Sequence, residues 1–176
     1  MKFQNTPLAD LIVIKSEPRE DERGFFARVF CVDEFAELGL CTDWLQANVA
    51  HNKFKGITRG MHYQHSPNAE VKLVRCTKGC VFDAVIDMRP SSATYRQWYG
   101  AELSESNRNM LYIPEGFAHG YQVLRDDSEL HYMVSARYAP ESEDGVRWND
   151  PLVGIDWPIR DAVQLSDKDQ QWSLLH

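Results

Sequence analysis

The sequence predicts an all-β protein with a jelly-roll arrangement. Short runs rich in Val, Ile, Tyr and Phe recur along the chain, and turn signals separate them at intervals typical of a sandwich or barrel. Long helical periodicity is missing from the middle of the chain.

The elements follow in order. "ADLIVIKSEP" reads as a strand ended by Pro18, and the polar turn "REDERG" leads into a second strand, "GFFARVFCV". "DEFAELGL" carries Phe35, Leu38 and a terminal Gly39, which suits a short helix. "GITRGMHYQH", residues 56–65, reads as core strand through Ile57, Met61 and Tyr63, yet it also holds an arginine, two histidines, a glutamine and two glycines. "VKLVRCT" and "CVFDAVIDMR" flank a turn at Gly79. "RQWYGAELS", "NMLYIPEG", "HGYQVL" and "LHYMVSARYAP" continue the β pattern, and "SDKDQQWSLLH" allows a closing helical turn.

With 176 residues and no internal repeat or linker, the chain is expected to form one domain over residues 1–176. Nineteen basic against 26 acidic side chains leave a net charge of −7, which argues against a broad nucleic-acid surface. A local basic pocket for a phosphorylated small molecule remains compatible with that charge. No apolar run approaches membrane-spanning length, and "MKFQNTPLADLIVIK" lacks the order of a signal peptide, so a soluble, cytoplasmic location without membrane partners is expected. Cys31, Cys41, Cys76 and Cys80 form no CxxC pair and read as buried or half-buried free thiols.

Some polar residues sit where a plain core strand would not put them. By period-2 alternation Lys72 shares a face with Val74 and Cys76; alone, it reads as an edge lysine with its head in water. Tyr132 lies on the face of Leu130 and Val134 and alone reads as a core tyrosine. His62 follows "TRG", where a bulge at Gly60 would let Arg59 and His62 face one cavity despite strand alternation. His119 ends "IPEGFAHG", a turn set by Pro114 and Gly116. His62, His65 and His119 could be grouped around a divalent ion, and "PEGFAH" is similar to a metal-binding cupin motif. The HxH pair that accompanies that motif is missing, because "YQH" follows His62, so metal is the minority reading. No G-x-S-x-G turn or Cys–His pair supports nucleophilic catalysis.

Taken together, "DERGFF", "GITRGMHYQ", "VKLVRCTKGCVFDAVIDMR", "LYIPEGFAHGY", "YAPESEDGVRWNDP", "IDWP" and "LSDKD" resemble the dTDP-4-dehydrorhamnose 3,5-epimerase family, in order and over nearly the whole chain. The resemblance implies a cupin-type jelly roll that works without metal or cofactor on a nucleotide-sugar substrate, usually as a strand-exchanged homodimer. It implies that His62 is the catalytic base, Asp169 its carboxylate partner, Lys72 the cation near the sugar ketone and Tyr132 the general acid. Arg59 and His119 would line the sugar and diphosphate pocket. Arg23, Phe26, Gln46, Asn48 and Tyr138 would hold the nucleotide, some of them across a dimer interface. Where the family usually shows a glutamate, this chain has Arg28. An acceptor replaced there by a donor would suit cytosine better than thymine, so a CDP-linked substrate, or inversion of one centre only, is the alternative. The "NVAHNKFKG" segment also lacks the family's serine pattern.

The residue types suit the chemistry. A 4-keto group acidifies the hydrogens on both neighbouring carbons, and histidine supplies a base near neutral pH. A carboxylate on the other ring nitrogen fixes the tautomer. A cation at the ketone oxygen stabilises the enolate, and a phenol across the ring returns the proton.

Overall fold

The computed structural model describes residues 1–161 and 163–176. Two antiparallel sheets face each other. The first has six strands in the order β1 (Lys2–Asn5), β2 (Ile12–Lys15), β10 (Asn109–Ile113), β7 (Lys72–Lys78), β12 (Ser128–Val134) and β5 (Gln46–Asn52). The second has five, in the order β13 (Glu143–Gly145), β6 (Thr58–Gln64), β11 (Phe117–Val123), β8 (Cys80–Asp87) and β9 (Trp98–Ser104). A separate hairpin pairs β3 (Arg19–Asp21) with β4 (Gly24–Phe26), and among the described residues two short α-helices, α1 (Val32–Ala36) and α2 (Asp167–Gln171), lie at the periphery. This is the all-β jelly roll expected from the strand spacing.

The core follows from alternation. Val13, Val74, Val85, Leu111, Val123 and Leu130 point between the sheets and are buried together. Truncating one of these, such as Leu130→Ala, would cost roughly 2–5 kcal/mol. Leu73, one residue out of phase with Val74, turns to the opposite face and packs with Ile14, Met110, Tyr112 and Phe35 of α1. The outer face of the second sheet is covered by Val146, Val153 and Trp157 from the C-terminal segment. Lys72 is in phase with Val74 and Cys76, so it points into the space between the sheets. It is 8 % exposed, which rules out the reading of an edge lysine with its head in water.

Several expectations need correction. Ala27–Cys31 is not strand: Phe30 stacks edge-on against Phe35 and Trp44, so the apolar run covers the first sheet instead of joining a ladder. Half of the supposed turn "REDERG" is β3 itself. β1, β5 and β13 were not marked by the sequence pattern. The four cysteines are free; Cys76 is buried and the other three are half-buried.

Candidate active site

The site forms at one end of the sandwich, with walls from opposite sheets. β6 supplies Arg59 and His62 despite their odd spacing. His62 pairs with His119 and Arg59 with Tyr121, so Gly60 and Met61 together oppose the single residue Gly120. Gly60 has φ of +120°, and a Cβ there would come within 2.5 Å of the Gly120 Cα. A Cβ on Gly120 would come within 2.6 Å of the Arg59 carbonyl oxygen. Both glycines are therefore needed for this approach of β6 to β11, and the bulge turns Arg59 and His62 into one cavity.

The cavity has two lobes, of about 320 and 210 Å³, that share His62, Lys72 and Tyr132. The larger falls within the roughly 300–1,000 Å³ of small-molecule sites. Gln46, Asn48, Glu70, Tyr138 and Glu143 line the larger lobe, and Arg59, His119 and Tyr121 the smaller. His62 comes from the five-stranded sheet, whereas Lys72 and Tyr132 come from neighbouring strands of the six-stranded sheet.

His62 Nε2 lies 2.5 Å from Asp169 Oδ1. Asp169 is 3 % exposed and is set by α2, whose N-cap Ser166 accepts a hydrogen bond from the Asp169 amide at 3.1 Å. Burial alone would raise the Asp169 pKa. The His62 hydrogen bond and charge, with further hydrogen bonds from Ser166 and the Gly60 backbone, outweigh it and hold the carboxyl below its ordinary value. Asp169 is thus a carboxylate that accepts from Nε2–H, which leaves the lone pair of the neutral ring on Nδ1. Trp172 packs edge-on against the imidazole at 5.9 Å.

Lys72 Nζ pairs with Glu70 Oε1 at 2.9 Å. Tyr132 is half-buried; burial first, then the negative charge of Glu70, raises its phenol above the ordinary value, with Arg59 opposing. In the smaller lobe, His119 Nε2 sits 3.0 Å from both oxygens of the fully buried Asp83. Arg59 Nε donates to Asn52 Oδ1 at 3.0 Å, and the Tyr121 hydroxyl donates to the same oxygen at 3.2 Å. At the mouth, Glu143 accepts from the Tyr138 hydroxyl at 2.8 Å and from Lys168 Nζ at 2.5 Å. His65 points elsewhere, to Asp144 at 2.9 Å, so His62, His65 and His119 each take a different carboxylate partner.

His62, Lys72, Tyr132, Arg59, His119, Gln46, Asn48 and Tyr138 therefore line one cavity, with Asp169 behind the imidazole. Arg23, Phe26 and Arg28 do not reach it within the chain. Arg23 pairs with Asp21 at 2.6 Å, Phe26 is 75 % exposed, and Arg28 donates to Glu34 at 2.7 Å. Sequence reasoning missed Glu70, Asp83, Glu143 and Lys168. Glu70 lies two residues before Lys72 and Lys168 one before Asp169, but acidic and basic residues in turns usually mark only a solvated face.

A profile of the dTDP-4-dehydrorhamnose 3,5-epimerase family matches residues 5–176. The chain belongs to that family. The Salmonella typhimurium dTDP-4-dehydrorhamnose 3,5-epimerase is 41 % identical over 171 residues, covering 97 % of this chain and 93 % of that protein. The crystal structure of the Elizabethkingia anophelis dTDP-4-dehydrorhamnose 3,5-epimerase superposes with a TM-score of 0.95 at 40 % identity, covering 99 % and 96 % of the two chains. The Legionella pneumophila dTDP-6-deoxy-D-glucose-3,5-epimerase, solved in complex with dTDP-4-keto-L-rhamnose, gives 0.93 at 40 % identity, covering 98 % and 92 %. The jelly roll is shared with the matched relatives, and the arrangement of polar residues across its walls comes from the geometry of this chain.

Proposed function

We propose that this chain is an isomerase that inverts C3 and C5 of a dTDP-linked 4-keto-6-deoxyhexose in deoxysugar biosynthesis. The observation that carries this reading is a His62–Asp169 dyad in one cavity with an ammonium and a phenol from the opposite sheet. His62 Nδ1 removes the proton next to the ketone while Asp169 stabilises the imidazolium that forms. Negative charge gathers on the C4 oxygen, where a Lys72 N–H donates; one such preorganised donor is typically worth about 3–4 kcal/mol of barrier. Tyr132 returns a proton to the opposite ring face. Base and acid come from opposite walls, which is what inversion demands of a ring lying between them. Burial and the Glu70 charge keep the phenol protonated well above neutral pH, as an acid requires.

Arg59 and His119 hold the sugar and diphosphate in the smaller lobe, and Gln46, Asn48 and Tyr138 hold the nucleoside at the mouth. The hairpin carrying Arg23 and Phe26, with Arg28 just beyond it, completes the nucleotide site of a second copy in a homodimer. This assignment is supported by the exposure of Phe26 at 75 %, on a strand whose neighbouring Phe25 lies under the Arg108 guanidinium at 3.9 Å. The base is thymine, as in the matched relatives, and Arg28 is already committed to Glu34. Four free thiols and a water-soluble charged substrate suit a cytoplasmic enzyme. Among the described residues, no helix is long and apolar enough to cross a membrane.

Incubating dTDP-4-keto-6-deoxyglucose with the enzyme in heavy water, with a chelator present, tests the reading. Deuterium should enter at C3 and C5, and His62→Ala should abolish the exchange while leaving the circular dichroism spectrum intact. Absence of exchange by the wild-type protein, or its persistence in His62→Ala, would end the proposal. Deuterium at a single carbon would restrict the activity to one centre.

A further inference from the structure

We propose that Glu70 is a positioning residue for the reaction: it anchors the Lys72 ammonium against the cavity wall so that the remaining N–H groups aim at the ketone oxygen. The inference rests on the epimerase reading and deepens it.

The geometry is specific. Lys72 Nζ and Glu70 Oε1 are 2.9 Å apart, with side chains only 11 % and 13 % exposed, and both line the larger lobe. A lysine side chain has four rotatable bonds, and burying it on a strand does not by itself fix where its head lies. Glu70 is rigidly placed to do so. The Val71 amide donates to Ser135 Oγ at 2.8 Å and the Ser135 amide returns to the Val71 carbonyl at 3.1 Å. Earlier in the same loop, Gln64 Nε2 donates to the Asn68 carbonyl at 2.8 Å and Asn68 Nδ2 to Ser142 Oγ at 2.8 Å. The loop between β6 and β7 is thus tied to the β12 exit and to the 140–142 turn, and it carries the carboxylate as a fixed post. An ammonium has three donors. The ion pair with Glu70 holds the head in place, and its N–H groups serve the substrate.

The same carboxylate faces Tyr132, whose phenol it helps to keep protonated alongside the dominant effect of burial. Arg59 opposes that influence, and His62, Lys72, His119, Glu143, Tyr63, Tyr121 and Tyr138 are the other charged or titratable groups that line the cavity among the described residues. Removing only the charge of Glu70 should therefore bring the alkaline limb of activity to lower pH.

The test is a double-mutant cycle read by heavy-water exchange and by kcat and KM. Glu70→Ala should lower kcat roughly ten- to a hundredfold with KM little changed, because a misplaced donor costs rate rather than binding. Glu70→Gln, which keeps an acceptor, should lose about threefold and show an alkaline limb shifted to lower pH. In a Lys72→Met background, Glu70→Ala should cost nothing further, since its partner is gone. Equal losses in the Gln and Ala variants with an unmoved limb, no loss in either, or a full additional loss in the Lys72→Met background would overturn the proposal. If the wild-type protein shows no exchange, the epimerase reading fails and this one with it. If wild type exchanges and the cycle is additive, only the role of Glu70 fails.

Discussion

Replacing Asp169 with asparagine tests the dyad with almost no change in volume. The Asp169 carboxylate accepts from His62 Nε2 at 2.5 Å and also from the Gly60 backbone N–H. Asparagine has one oxygen and one amide nitrogen for these two donors and for the Ser166 hydroxyl, which can donate or accept. The backbone N–H can only donate, so the oxygen must turn toward Gly60 and the NH₂ toward His62. An amide donor facing Nε2 forces the ring proton onto Nδ1, the atom that must accept from the sugar. The base is then in the wrong tautomer, and the imidazolium loses its counter-charge. By analogy with carboxylate–histidine pairs whose carboxylate is made an amide, kcat should fall about 10³–10⁴-fold, equivalent to roughly 4–5.5 kcal/mol of barrier. Single-turnover deuterium incorporation at C3 and C5 measures this directly, with thermal unfolding to confirm that the variant folds. A rate within tenfold of wild type would show that Asp169 merely packs against the ring.

Three further outcomes follow from the same geometry. Gly120→Ala places a Cβ within 2.6 Å of the Arg59 carbonyl oxygen, so it should destabilise the fold by roughly 1–3 kcal/mol in a denaturant titration and reduce kcat through displacement of His62. Asp87 is fully buried, and although burial alone would raise it, hydrogen bonds from Arg89, Ser92 and Thr94 bring its pKa from 3.8 down to about 2. A depressed carboxyl stabilises the fold above its unfolded pKa and loses that contribution as pH falls through the folded value. Wild type should thus lose roughly 2 kcal/mol between pH 5 and 1.5 that Asp87→Asn does not lose, as urea midpoints across that range would show. Isothermal titration should give tighter binding of dTDP than of CDP, because the Arg28 guanidinium is held by Glu34 at 2.7 Å; preference for CDP would show Arg28 reading the base.

How much of this was legible depended on which way the polar residues point. β7 and β12 were readable because their inward faces carry Val74, Cys76, Leu130 and Val134, and their polar members Lys72 and Tyr132 only interrupt an apolar pattern. β5 was invisible for the opposite reason. Its inward residues Gln46, Asn48 and Asn52 face the cavity or its supports, while Val49, on the other face, is 61 % exposed. An alternation rule applied there puts the wrong face inside. The "GFFARVF" stretch failed because aromatic residues serve equally well in a ladder and in an edge-on cluster, and Phe30 takes the second use. The carboxylates Asp83 and Glu143 left no local signal, since the fold brings each its partner, His119 and Lys168, while Glu70, two residues from Lys72, read as an ordinary loop carboxylate.

The same contrast explains why a sandwich with so ordinary a core can hold such a site. Toward the middle, the inter-sheet space is filled by side chains such as Leu111, Leu130 and Val85, each at 0 % exposure. At the end where β5, β6, β7 and β12 meet, that filling stops and the inward positions are polar. Each polar group there is held by another: His62 by Asp169, Lys72 by Glu70, His119 by Asp83, Arg59 by Asn52. Unpartnered, the buried Lys72, Asp83 or Asp169 would cost several kcal/mol of desolvation, and the more exposed His62 and Arg59 would be free to reorient. Paired, they fix the direction of the remaining lone pair or N–H, so the partners that make burial tolerable also aim the site. Substituting a partner should therefore cost activity as well as stability, whereas truncating Leu130 should cost stability alone.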